Sequence, residues 1–155
     1  MKKVTFVSRN VVKSFVQPTN VISIRCSDDT PVDFAVKHNL LLELAFDDVD
    51  GMMMEYAHLT YFNESMAEQI IAFVKATDGD ILVHCQAGVS RSAAVAKFIH
   101  DHMGYDLDLS KPCLGTTECY NRRVYETLTM ALEVPTLSAY YAELELADRM
   151  RGNPL

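Results

Sequence analysis

The sequence predicts an α/β protein with a central, mainly parallel sheet flanked by helices, the helices dominating the C-terminal third. Three observations lead there. Short apolar runs of strand length alternate with stretches of helical periodicity through the first two thirds of the chain. The later runs show little polar alternation, as strands covered on both faces do. From Ser90 onward the periodic segments are all helical.

In order, Val4 to Val7 and Val21 to Ile24 are predicted strands, with Gln17-Pro18-Thr19-Asn20 as the turn signal between nearby elements. Leu40 to Phe46 is the third strand and Ile81 to His84 the fourth, each apolar enough for burial on both faces. Between them Met66, Ile70, Phe73 and Val74 recur at helical spacing, with Asn63 or Thr60 as the cap. A helix from Ser90 to His102 stops at Gly104, and a second runs from about Cys119 to Leu132. Pro135 breaks the chain, and 136–150 forms a last helix. No repeat, low-complexity tract or linker interrupts the chain. Its 155 residues, 49% of them hydrophobic, support one domain over 1–155 with its own core.

The most informative segment is Asp80 to Ser92. Ile81, Leu82 and Val83 deliver Cys85 into a short turn around Gly88, and five residues separate Cys85 from Arg91 at the start of a helix. A thiol is a weak nucleophile until its thiolate is stabilised, and a helix N-terminus supplies unpaired N–H groups and a favourable dipole. The same donors suit the oxygens of a phosphate. Gly88 frees a position where the chain needs positive φ, and Arg91 can grip two oxygens at once. Ser92 follows, where its hydroxyl can donate to the sulfur. A buried cysteine alone is often a small hydrophobe. That account does not cover His84, Gly88, Ser90, Arg91 and Ser92 arriving together.

His84-Cys85-x5-Arg91-Ser92 resembles the signature loop of the cysteine-dependent protein tyrosine phosphatases. The chain length and the loop position look like the compact dual-specificity branch. The resemblance covers roughly 20–130 and is most specific at the loop. It implies Cys85 as nucleophile, Arg91 and the amides of Gln86, Ala87, Gly88, Val89 and Ser90 as the phosphate cradle, Ser92 as a catalytic hydroxyl, and His84 as support behind the loop. It also asks for an upstream general acid. Leu42 to Phe46 runs into Asp47, Asp48 and Asp50, and alignment with the family places Asp48 in the acid position, with Asp47 the close alternative. Asn121 is the family-like brace of the signature loop or, equally, a helix N-cap. Arg122 and Arg123 are a solvated pair that could border the cleft.

The expected activity is therefore hydrolysis of protein phosphotyrosine, with phosphoserine and phosphothreonine as further substrates, through a cysteinyl-phosphate. Gln86, Ala87 and Val89 carry no lysine or arginine, which speaks against inositol lipids or RNA triphosphates. The rivals are a non-catalytic phosphate-binding module and another thiolate-loop enzyme, such as a lipid or RNA phosphatase, a sulfurtransferase or an arsenate reductase. A net charge of −7 argues against nucleic acid or an anionic membrane as partner. The N-terminal segment lacks the apolar stretch of a signal peptide, and no apolar run is long enough to span a bilayer. Cys26, Cys85, Cys113 and Cys119 show no metal or disulfide spacing, in keeping with a cytoplasmic setting. His100 and His102 lie at i, i+2 and face apart, so neither a metal nor a cofactor is assigned. Met52, Met53 and Met54 read as a packed loop, with an adaptable lip beside the site as the alternative.

Overall fold

A computed structural model describes residues 1–50 and 59–134. The methionine run Met52–Met54 and the expected helix 136–150 lie outside the described residues. The elements are β1 (Lys3–Ser8), α1 (Arg9–Ser14), β2 (Asn20–Arg25), β3 (Leu40–Ala45), α2 (Glu64–Ala76), β4 (Ile81–Cys85), α3 (Arg91–Met103), β5 (Asp106–Leu107) and α4 (Arg122–Glu133). The strands form a sheet in the order β3-β2-β4-β1-β5, with every pairing parallel. The predicted α/β class is therefore the observed one. None of the described helices is long and apolar enough to cross a membrane.

Alternation along each strand sorts the core into two layers. Val4, Phe6, Ile22, Ile24, Ile81, Val83 and Cys85 face the cluster that also holds the buried faces of α2, α3 and α4. Val7, Val21 and Leu82 face the other way, onto Val12 of α1 and the segment carrying Val32 and Phe34. Ala93, Ala94 and Ala96 are fully buried, and their small side chains let α3 lie close against the sheet. Gly104 ends α3 at φ 79°, a left-handed cap that glycine adopts without a Cβ clash. Fully burying a side chain such as Phe6, Phe98 or Ile99 contributes about 1.5–3 kcal/mol each.

Several elements differ from the sequence expectation. β3 is an edge strand, and Leu40 and Leu41 each remain 42% exposed. Its apolar composition suits burial, but its place at the end of the sheet leaves one side uncovered. α4 begins at Arg122 rather than near Cys119, because Asn121 caps it by accepting from the Val124 amide. Asn63, not Thr60, caps α2 by accepting from the Met66 amide. α1 and β5 are too short to register as periodic patterns. α1 starts where Ser8, the last residue of β1, accepts from the Val11 amide and caps the new helix.

Candidate active site

The predicted site residues cluster at the carboxyl ends of parallel strands, where the chain leaves the sheet for its crossovers. β4 ends at Cys85, and the loop to Arg91 folds back over the thiol. Ser92 Oγ lies 3.1 Å from Cys85 Sγ, and the Gly88 amide donates to the sulfur at 3.3 Å. Cys85 is only 2% exposed, and burial alone would push its thiol up. The Ser92 hydroxyl and amide, the Arg91 charge and the Gly88 amide outweigh that and hold it below the usual thiol range.

Gly88 is fixed by two constraints. Its φ is +70°, and a Cβ there would stand 2.5 Å from Ser8 N and 2.6 Å from Val7 C. The loop thus rests directly on the end of β1, and the Arg9 amide adds a bond to the Gln86 carbonyl. Gln86 and Ala87 are exposed on top of the loop, with Val89 and Ser90 partly covered.

Arg91 opens α3 and is 4% exposed. Its Nη1 donates to the Phe46 carbonyl at 2.8 Å and approaches Cys26 Sγ at 3.4 Å. Its Nε is buried without a partner among the described residues. Ser90, the N-cap of α3, spends no side-chain bond on that helix. Its hydroxyl donates instead to Asp48 Oδ1 at 2.9 Å. The capping side chain therefore takes up none of the first-turn amides of α3, and the Ser92 amide serves the Cys85 sulfur.

The three upstream carboxylates separate by environment. Asp47 is buried, and Ser27 N and Oγ and Thr60 N donate to its two oxygens at 3.1, 2.8 and 2.7 Å. Burial would raise its pKa, but the Thr60 amide, the Ser27 bonds and the Arg91 charge hold it below the usual carboxylate range. Such a group stays ionised and braces the loop. Asp50 accepts from the Arg122 amide at 3.2 Å, at the start of α4. Asp48 is hydrogen-bonded to the cysteine loop through Ser90, and Asn121 Nδ2 donates to it at 2.7 Å.

Asn121 performs both roles the sequence left open and adds a third. It caps α4, its backbone amide braces the loop at the Ser90 carbonyl, and its side chain holds Asp48 and the Val49 carbonyl. Arg122 lies over the Tyr120 ring and Arg123 over Tyr61. His100 and His102 turn to separate partners, the Tyr105 carbonyl and the Tyr125 hydroxyl.

His84 is fully buried behind the loop, beside Ser23 Oγ and the Cys85 carbonyl. Sequence reasoning missed Ser23, Cys26 and Ser27. A lone serine inside the apolar run Val21-Ile22-Ser23-Ile24 was the available signal for the first. The arrangement can hold a tetrahedral oxyanion over an activated sulfur, with a carboxyl group at the rim to give or take a proton. No known protein-family model matches the chain, and no curated protein matches its sequence.

Proposed function

We propose that this protein is a phosphomonoester hydrolase that works through a cysteinyl-phosphate on phosphotyrosine, with phosphoserine and phosphothreonine as further substrates of one pocket. The observation that carries the reading is the thiol of Cys85, held between Ser92 Oγ and the Gly88 amide and lowered in pKa, with Arg91 completing the loop. Asp48, tethered to the same loop through Ser90, supports it with a proton donor. The resemblance of His84-Cys85-x5-Arg91-Ser92 to the tyrosine phosphatase loop adds to this.

In the first step the Cys85 thiolate attacks phosphorus in line. The S–P bond forms as the ester P–O bond breaks, and the Asp48 carboxyl protonates the leaving oxygen. Arg91 and the loop amides hold the equatorial oxygens and stabilise the charge that develops there. In the second step water attacks phosphorus and gives its proton to the Asp48 carboxylate. The P–S bond breaks, phosphate leaves, and the Ser92 hydroxyl donates to the returning thiolate. The exposed top of the loop, Gln86 and Ala87, carries no charge, which favours a singly phosphorylated protein over a polyphosphorylated lipid. Cys26, Cys85, Cys113 and Cys119 are all free, and a thiolate enzyme of this kind belongs in a reducing compartment such as the cytoplasm.

The test is hydrolysis of p-nitrophenyl phosphate, then of phosphotyrosine and phosphothreonine peptides, with vanadate as inhibitor. Wild-type protein turns over and is blocked by vanadate, while Cys85→Ser loses turnover and keeps phosphate binding. Near-normal hydrolysis by Cys85→Ser would overturn the covalent mechanism. Phosphate binding without any hydrolysis by the wild type would identify a binding module instead.

A further inference from the structure

The bond network behind the loop assigns a tautomer to His84. Its Nδ1 lies 3.3 Å from the Cys85 carbonyl oxygen, which can only accept, so Nδ1 carries the proton. Burial, with the charges of Arg9 and Arg91, lowers the ring's pKa to about 4 against the bond to Cys85, and the imidazole is neutral near pH 7. A neutral ring protonated at Nδ1 has a bare Nε2. That nitrogen lies 2.5 Å from Ser23 Oγ, and both side chains are buried. The hydroxyl must therefore donate.

We propose that Ser23 is a positioning residue: its hydroxyl locks His84 in the Nδ1–H tautomer, and the ring in turn holds the Cys85 peptide that carries the thiolate. This rests on the reading of Cys85 as nucleophile. Without the hydroxyl Nε2 is left a buried acceptor with no donor, and the ring loses its anchor on β2. The ring is then free to shift, and the Nδ1 bond that holds the Cys85 peptide, from which the loop amides are hung, weakens. Pairing of Ser23 with His84 in the parallel β2–β4 register fixes the reach between the two side chains. Among the described residues, the other groups around the ring do not compete for Nε2. Phe34 meets it edge-on at 6.3 Å, with His38 beyond Phe34. Arg9 on α1 and Arg91 on α3 act on it through their charge, and neither is a hydrogen-bond acceptor.

The experiment compares wild type with Ser23→Ala, Ser23→Val and Ser23→Thr. Valine and threonine share a shape and differ by the hydroxyl alone, so any packing change is common to both. The readouts are the ¹⁵N shifts of the His84 ring and the pH dependence of Cys85 alkylation by iodoacetamide, followed peptide by peptide. Wild type and Ser23→Thr are expected to show Nδ1 protonated and a shared alkylation midpoint. Ser23→Ala and Ser23→Val are expected to raise that midpoint by roughly half to one pH unit, slowing alkylation below it about three- to tenfold. Equal midpoints for Ser23→Thr and Ser23→Val would overturn the proposal, as would a wild-type ring protonated at Nε2. If the hydroxyl-free variants do not fold, the wild-type Nε2 shift decides: that of a hydrogen-bonded acceptor is expected, and that of an unbonded or protonated Nε2 would overturn the proposal. Neither readout uses turnover, so a protein that hydrolyses no phosphoester would defeat the proposed function and leave this result standing.

Discussion

The side-chain amide of Asn121 donates to Asp48 Oδ1 at 2.7 Å, from a residue 73 positions further along the chain. The same asparagine caps α4, so its two duties can be separated by substitution. Ser in place of Asn keeps an N-cap but is too short to hold the carboxylate. Asn121→Ser should therefore keep α4 capped, lose about 1–3 kcal/mol in urea unfolding from the Val49 carbonyl it leaves without a donor, and lose about tenfold in turnover on alkyl phosphates. Asp48→Ala should lose about 10²–10⁴-fold on those substrates and much less on p-nitrophenyl phosphate, whose leaving group needs little protonation. Steady-state kinetics over a leaving-group series checks both, and equal losses across the series would remove Asp48 from the acid role.

Asp47 gives the contrasting case. Asp47→Ala strips the partner from Thr60 N, Ser27 N and Ser27 Oγ in a buried setting. It should cost about 2–4 kcal/mol in urea unfolding. The turnover of the protein that remains folded should fall without any dependence on leaving group. A steep dependence would transfer the acid role to Asp47.

Gly88→Ala tests how tightly the cysteine loop sits on β1. A methyl at that position meets the backbone of Ser8 and Val7 at 2.5–2.9 Å and must also hold φ at +70°. Backbone on both sides cannot swing away, so a loss of about 2–3 kcal/mol is expected, or a fall of roughly 5–10 °C in melting temperature. A variant with unchanged melting temperature would mean the loop can leave β1 freely.

His84 sets a pH window for stability. Its folded pKa, lowered to about 4 by burial, lies below the ordinary histidine value of 6.5. The unfolded chain therefore takes up the proton first as pH falls. Stability is full above pH 6.5 and declines by about 3 kcal/mol on the way down to pH 4. Burial shifts His38 in the same direction and steepens the decline. Asp47, shifted below its ordinary value, adds its own loss only under more acidic conditions. Urea unfolding from pH 7 to 4 should show the slope, and His84→Gln should remove its larger part. An unaltered slope in that variant would assign the effect elsewhere.

What the sequence made legible follows the range of each interaction. The cysteine loop was readable because Cys85, Gly88, Arg91 and Ser92 are neighbours in the chain, and strand, turn and helix each carry a local pattern. The loop of Asp47, Asp48 and Asp50 was readable only as a group of carboxylates. The choice among Asp47, Asp48 and Asp50 depends on Ser27, Thr60, Ser90, Asn121 and Arg122, which no local pattern links to them. The exposure of Leu40 and Leu41 depends on strand order, since the same apolar run would be buried two places further in. Ser23 was visible as a polar residue in an apolar strand, but its partner His84 lies 61 residues away.

The all-parallel sheet has a consequence for the order in which the molecule forms. Parallel neighbours cannot be joined by a hairpin, so each pairing waits for a crossover to close a long loop. Cys26 meets Arg91 across 65 residues, Ser90 meets Asp48 across 42, and Asn121 reaches back across 73. The Gly88, Arg91 and Ser92 groups that lower the Cys85 thiol are local to its own loop and the start of α3, whereas the ties of that loop to Asp48 and Asn121 exist only once β1, β2, β3 and β4 lie side by side. A half-assembled molecule therefore holds its cysteine loop without the carboxylate at the rim.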